Sequence, residues 1–180
     1  PLGEYYECKF GEDGELSKRK ARIPVQGHPG NMTKGVHYNE TFSATPKESS
    51  SRIMCALVVL LNLKRLSFDI TKAYCWADLP PGELIALKYP SAFQEYDPIT
   101  QEPLFIVMRK NLYGHPSAGR TFGKARDAAI LKKFNEGEFS CERCRMDPCM
   151  FVINKKMQDG SNQRAWMLAH VDDCDIAGDD

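Results

Sequence analysis

Two adjacent carboxylates, Asp172 and Asp173, follow closely on an apolar run, Trp166-Met167-Leu168-Ala169. Side chains alternate across a strand, so neighbouring acids within one face opposite ways, whereas a tight turn at this point brings both to one opening. A third acid, Asp69, ends the run Leu66-Ser67-Phe68 and is flanked by Phe68 and Ile70. A carboxylate in that setting carries a desolvation cost unless a cation offsets it. Three carboxylates converging at strand ends repel one another, which raises at least one pKa. A hard divalent ion reverses that balance. Mg2+ suits, because it takes oxygen ligands and binds through a few carboxylates together with substrate phosphates. Two such ions stabilise the attacking and leaving oxygens of an in-line phosphoryl displacement. The plainer reading is a solvated turn, since aspartate favours turns and caps. Residue types and spacing leave both readings open. Asp175, Asp179 and Asp180 read as solvated turn residues.

The elements that must position these acids are legible in the periodicity. Leu66, Phe68 and Ile70 alternate with Ser67 and Asp69, which predicts a strand. Ala165 to Val171 predicts another, joined to Cys149–Ile153 through Asp159-Gly160 as a hairpin with a longer loop, and Asp175–Ala177 a short returning strand. Thr45-Pro46-Lys47-Glu48 has the pattern of a capping box, predicting a helix from Pro46 to about Asn62. Its Ile53, Met54, Leu57, Val58, Leu60 and Leu61 cover much of the circumference and predict burial. Ser117 is placed to cap a second helix through about Phe134, with Phe122, Ala125, Ala129 and Ile130 on one side. Glu83–Tyr89 and Leu104–Met108 read as further strands, separated from the Asp69 strand by Pro80-Pro81-Gly82. Residues 4–18 are polar and turn-rich, and 26–36 read as an exposed loop or loosely ordered ribbon. Helices against a mostly antiparallel sheet predict an α+β domain.

Composition narrows the function classes. Of 180 residues, 42% are hydrophobic and 27% charged, which is ordinary for a globular chain and excludes collagen, coiled coil and wholesale disorder. Lys plus Arg and Asp plus Glu are both 24, so a purely electrostatic binder is excluded while a local basic groove is not. From Leu104 to Phe134, seven cations (Arg109, Lys110, Arg120, Lys124, Arg126, Lys132, Lys133) face one acid, Asp127. That asymmetry suits a phosphate-backbone track or an exposed helix face equally. The longest apolar run, Ile53–Leu61, is far short of the roughly 20 residues that span a bilayer, so no membrane role is expected. Pro1-Leu2-Gly3 resembles what tag cleavage leaves, and is set aside for the fold. Seven cysteines and no secretory signal predict reduced thiols in an intracellular compartment. Cys141-x-x-Cys144 with Cys149 nearby lacks a fourth ligand for structural zinc, so free or packed thiols are expected.

Six ordered motifs resemble the reverse transcriptase of copia-type LTR retrotransposons, over about Lys20 to Asp180. Lys20-Ala21-Arg22-Ile23 with Gly27 resembles the fingers motif, and Tyr38 to Ser43 resembles "YEETFAP". Phe68-Asp69-Ile70-Thr71-Lys72-Ala73-Tyr74 resembles "MDVKTAF". Leu112-Tyr113-Gly114 with Ala118 and Arg120 is similar to "LYGLKQAPRAW", and Asp147 to Phe151 to "DPCLF". His170-Val171-Asp172-Asp173 with Ile176-Ala177-Gly178 resembles "YVDDILIAG".

The resemblance implies a reverse-transcriptase palm with a partial fingers subdomain. Residues 1–19 would be a tag scar and an N-terminal fingers segment, 20–45 a fingers ribbon or loop, and 46–180 the palm, with an intervening fingers segment at about 80–116. It implies RNA-directed DNA polymerisation, in which a primer 3′-hydroxyl attacks the α-phosphate of a deoxynucleoside triphosphate and pyrophosphate leaves. Asp69, Asp172 and Asp173 would hold two Mg2+ ions, or Mn2+, with the Ile70 carbonyl as a further ligand. Tyr74 would be the gate against a 2′-hydroxyl, Lys20 and Arg22 would meet the triphosphate, and Tyr113-Gly114 would lie beside the nascent base pair. His170, Arg109, Lys110, Arg120 and Lys124 would contact template or primer. The partners implied are an RNA or DNA template with its primer and the other Pol domains (thumb, RNase H, integrase), in the cytoplasm and, for a full element, in virus-like particles. The primer grip, thumb and RNase H fall outside these residues, so low or no processive synthesis by this chain alone is expected. The sequence departs from the motifs at His170, which stands for tyrosine, at Ser117, Gly119 and Phe122, which stand for glutamine, proline and tryptophan, and at Pro24 and Gln26. A non-catalytic descendant that binds nucleic acid or protein is the alternative. A two-metal nuclease is disfavoured because it has no use for a sugar gate at Tyr74.

Overall fold

The computed structural model describes residues 1–179; Asp180, assigned above to a solvated turn, lies outside them. In chain order the elements are β1 (Tyr5–Phe10), β2 (Leu16–Arg22), α1 (Glu48–Leu60), β3 (Lys64–Asp69), β4 (Ile85–Lys88), β5 (Phe105–Met108), α2 (Ala118–Lys133), β6 (Phe139–Arg143), β7 (Met150–Lys156), β8 (Asn162–His170) and β9 (Asp173–Gly178). The pairings between these strands are antiparallel. The chain divides into two units, one from Pro1–Thr41 and Tyr74–Thr121, the other from Phe42–Ala73 and Phe122 onward.

The second unit is built on a five-stranded sheet of order β3-β9-β8-β7-β6. One face carries Phe151, Ile153, Met167, Ala169 and Cys174, packed against Ile130, Leu131 and Phe134 of the α2 region. The opposite face carries Met150, Trp166, Leu168 and Ala177, packed against Met54, Leu57 and Val58 of α1. Alternation along each strand thus feeds two separate cores. Only Ser50 and Met54 of α1 are fully buried, and Ile53, Val59, Leu60 and Leu61 are exposed, so the predicted all-round burial does not hold. A single stripe seats the helix on the sheet. In α2 the buried stripe is Phe122, Arg126 and Ile130; Ala125 and Ala129 are exposed, contrary to expectation.

The start of α1 also differs from the reading. The helix begins at Glu48, and no side chain of the Thr45-Pro46-Lys47 segment caps it. The cap comes from a hundred residues away, where Asp147 Oδ2 accepts from the Lys47 amide at 2.8 Å. At the other end Asn62 adopts φ 52°, and the Asn62 and Leu63 amides donate back to Val59 and Val58. These are the two backbone hydrogen bonds of a Schellman close. It buries Leu63 beside Leu57 and Val58 and launches β3.

The first unit holds two hairpins, β1–β2 and β4–β5. Its core gathers Leu2, Val25, Met32, Ile85, Leu87 and Met108. Leu2, set aside above as a cleavage remnant, is a core residue, and the neighbouring amide of Gly3 bonds the Pro24 carbonyl at 2.7 Å. Met32 likewise pins the 26–36 stretch that reads as a loose loop. The sequence pattern does not predict β1, β2 or β6. Their exposed strands, rich in Lys, Arg and Glu, carry too weak an apolar alternation to be read.

Candidate active site

β3 and β9 pair so that Asp69 stands opposite Asp173, with Asp172 one residue earlier. The Ile70 amide donates to the Asp172 carbonyl at 2.9 Å, which makes residues 70 and 172 a hydrogen-bonded pair. Asp69 and Asp173 are therefore a non-hydrogen-bonded pair, the closer type, with Cα atoms about 4.5 Å apart and side chains on one face. His170 faces Asp173 from β8 and joins the same row. Asp69 and Asp173 are exposed, and Asp172 is half-buried. The expected desolvation of Asp69 by Phe68 and Ile70 is not met, because β3 is an edge strand and Phe68 is 41% exposed.

Val171 and Asp172 form the two-residue loop between β8 and β9. Val171 has φ 51° and Asp172 no positive φ, as in a type II′ hairpin. A β-branched residue in left-handed backbone is strained, and such conformations persist where the surroundings hold them. Arg126, buried on α2, supplies part of that hold: its Nη1 donates to the Val171 carbonyl at 3.0 Å and lies 3.4 Å from the Ala169 carbonyl. Beneath the turn, burial pushes the Cys174 thiol up to about 11, so it stays protonated.

The fit of the acids to divalent ions rests on this donor set. Directly opposed like charges are unfavourable across strands, and the pair offers only carboxylate oxygens, which suits a hard cation. Among the described residues, no three His, Cys, Asp or Glu side chains gather closely enough to enclose a metal. The backbone thus sets Asp69 opposite Asp173 and places Asp172 in the adjoining turn, opposite Ile70. Cys141 and Cys149 are buried, and burial raises their pKa, consistent with packed thiols.

The remaining candidate residues fall as follows. In the first unit, Lys20 and Arg22 lie on β2, opposite Glu7 and Tyr5. Tyr74 sits in a 3-10 turn, Ala73–Trp76, with its ring centroid 4.8 Å from that of Tyr113. Arg109 is exposed, and Lys110 pairs loosely with Asp78 at 3.4 Å. Arg120 is half-buried. In the second unit, Lys124 and His170 are exposed, and Arg126 is withdrawn from any surface track by burial. Asp175 is not a solvated turn residue. It lies on β9, bonded to Arg65 at 2.7 Å and to the Ser67 hydroxyl, and these bonds, the Arg65 one foremost, lower its pKa.

Gly114 serves close approach, and within the described residues the partner is the chain itself. It has φ 85°, and a Cβ there would stand 2.0 Å from the Val25 carbonyl oxygen; one on Gly27 would stand 2.0 Å from the Gly114 carbonyl oxygen. Gly114→Ala is expected to destabilise the chain by about 3 kcal/mol, from overpacking and backbone strain together. A chemical-denaturation midpoint equal to wild type would refute that.

Sequence reasoning missed Arg126 and Asp147 as supports. The spacing of Phe122, Arg126 and Ile130 was the available signal for the first.

No family model matches the chain, and no solved structure matches it. Among curated proteins it is 27% identical over 173 residues to the retrovirus-related Pol polyprotein from transposon RE2 of Arabidopsis thaliana. It is 28% identical over 182 residues to that from transposon TNT 1-94 of Nicotiana tabacum, and 27% over 174 residues to that from transposon RE1 of Arabidopsis thaliana. These alignments cover 96%, 100% and 96% of this chain but 11%, 12% and 10% of those proteins. No helix among the described residues is long and apolar enough to cross a membrane. The chain is therefore similar, from end to end, to about a tenth of a plant retrotransposon Pol polyprotein.

Proposed function

We propose that this chain is the fingers-palm part of an RNA-directed DNA polymerase, joining deoxynucleotides to a primer 3′-hydroxyl. The observation that carries the reading is the register of Asp69 against Asp173, with Asp172 in the adjoining two-residue turn. Asp69, Asp172 and Asp173 would hold two Mg2+ ions, with the Ile70 carbonyl as a further oxygen donor. When bound, such ions lower the pKa of an attacking hydroxyl and neutralise charge on a leaving pyrophosphate. The protein's own part is positioning. Lys20 and Arg22 are assigned to the triphosphate, where the guanidinium fork matches phosphate oxygens. Tyr74, braced by Tyr113, is assigned to the sugar, where its ring excludes a 2′-hydroxyl. Template, primer and the other Pol domains are the partners this reading requires.

Primer extension by the 180-residue chain on an RNA template, with Mg2+ or Mn2+, tests it. Addition of one or a few nucleotides is expected, and no addition at any ion concentration would remove the reading. Tyr74→Ala is expected to raise ribonucleotide use relative to deoxynucleotide by about 10–100-fold, the scale of a lost steric exclusion. An unchanged ratio would take Tyr74 out of the site.

One observation favours a second reading, a non-catalytic module that binds nucleic acid or protein: the three acid side chains do not gather. Template binding without nucleotide addition would select it.

A further inference from the structure

We propose that Arg126 is a positioning residue: its guanidinium holds the Val171 turn in left-handed backbone and so sets where the Asp172 and Asp173 carboxylates stand. This rests on the reading of that hairpin as a divalent-ion site.

Arg126 is 7% exposed and sits one turn from both Phe122 and Ile130 on the buried stripe of α2. Its donors are split between two tasks. Nη1 reaches the carbonyls of Val171 at 3.0 Å and Ala169 at 3.4 Å, on either side of His170. Nε and Nη2 both reach Asp127 Oδ1, at 3.0 and 2.8 Å. Asp127 Oδ2 in turn takes Arg143 of β6 at 2.6 Å. The guanidinium is thus anchored from one side and bonded to the turn from the other, which a planar fork does and an ammonium point charge does not.

The sheet separates this residue from Asp69 and Asp173. Ala169 and Cys174 face α2, whereas Asp69 and Asp173 alternate to the other face. Arg126 therefore acts through the backbone of residues 169–171. The backbone it bonds is the part least able to hold itself, since valine disfavours φ 51°. A buried cation near an ion site has the opposite Coulombic effect: its removal alone would favour a divalent ion. Position and charge thus predict opposite signs.

The test is Mn2+ binding to the 180-residue chain by calorimetry, with thermal melts alongside, for wild type, Asp173→Asn, Arg126→Lys, Arg126→Gln and Arg126→Gln combined with Val171→Gly. Residues that orient metal ligands change affinity by about 10–100-fold when replaced, and that loss is expected for both single Arg126 variants. Glycine adopts positive φ freely, so Val171→Gly is expected to restore most of the affinity lost in Arg126→Gln. Should Arg126→Gln fail to fold, the same comparison is made with Arg126→Lys. Binding unchanged or tightened in the Arg126 variants overturns the proposal, as does a loss that glycine does not repair. A wild type whose Mn2+ binding is absent, or indifferent to Asp173→Asn, removes the ion-site reading itself and this inference with it.

Discussion

Replacing Asp69 with asparagine is expected to make the protein more stable and inactive together. Asp69 and Asp173 are direct cross-strand neighbours on β3 and β9, exposed and of like charge. Directly opposed like charges cost about 0.2–1 kcal/mol, so relieving the pair should raise Tm by up to about 4 °C in a chain of this size. If the pair binds the ions of a nucleotidyl transfer, the same change removes a ligand from the charge-stabilising site. Nucleotide incorporation should then fall by about 10²–10³-fold, the scale seen when one stabilising group is lost from an active site. The opposite signs make the experiment discriminating. A turn residue with no chemical role would show the gain in Tm and no loss of incorporation. A change that merely damages the fold would lower both. Thermal melts and single-nucleotide extension on the same preparations decide between them.

Asp147→Ala is expected to destabilise the second unit strongly. The carboxylate is 1% exposed. It accepts from the Lys47 amide at 2.8 Å and the Cys149 amide at 2.9 Å, and from the Ser50 hydroxyl. It thus ties the start of α1 to the segment that leads into β7. Burial alone would raise its pKa; the Ser50 hydroxyl and the two amides outweigh burial and leave it below the usual aspartate value of 3.8. Alanine leaves the buried Cys149 amide and Ser50 hydroxyl and the part-buried Lys47 amide without their acceptor, at a cost of about 3–5 kcal/mol, or roughly 6–20 °C in Tm. The pH dependence has a definite sign. A depressed pKa contributes stability that is present above the unfolded-state value and lost as pH falls from there through the lower folded-state value. The gap in Tm between wild type and Asp147→Ala should therefore be constant near neutrality and narrow below about pH 4. A gap that widens on acidification would show that the carboxylate is not the stabilising form.

Much of the second unit was legible because its signals are local. The alternation around Leu66 and Phe68 is β3, the apolar run before Asp172 is β8, and Ser117 to Phe134 brackets α2. What misled was local pattern read without a partner. Thr45 to Glu48 has the letters of a capping box, yet Asp147 occupies the capping role from the β6–β7 connection. Arg126 reads as one of seven cations on a basic stretch, yet it is a core position of α2. A hydropathy pattern scores arginine as polar wherever it lies, and only its hydrogen-bond acceptors reveal why it is buried. Leu2 reads as a remnant, yet it fills the first unit's core.

Residue type and spacing alone disclose which atoms are available for chemistry: three aspartates at the ends of apolar segments, a tyrosine five residues beyond the first, and two helices bracketed by their periodicity. Side-chain type and spacing depend only on neighbours along the chain, so they need no fold to be read. Folding puts residues 69 and 173 on one rung of a sheet, gives the strained turn between β8 and β9 to valine, and sets a buried arginine against that turn from the face opposite Asp69 and Asp173. These are contacts between segments tens to more than a hundred residues apart. Strand register and burial, which no local pattern encodes, bring them about.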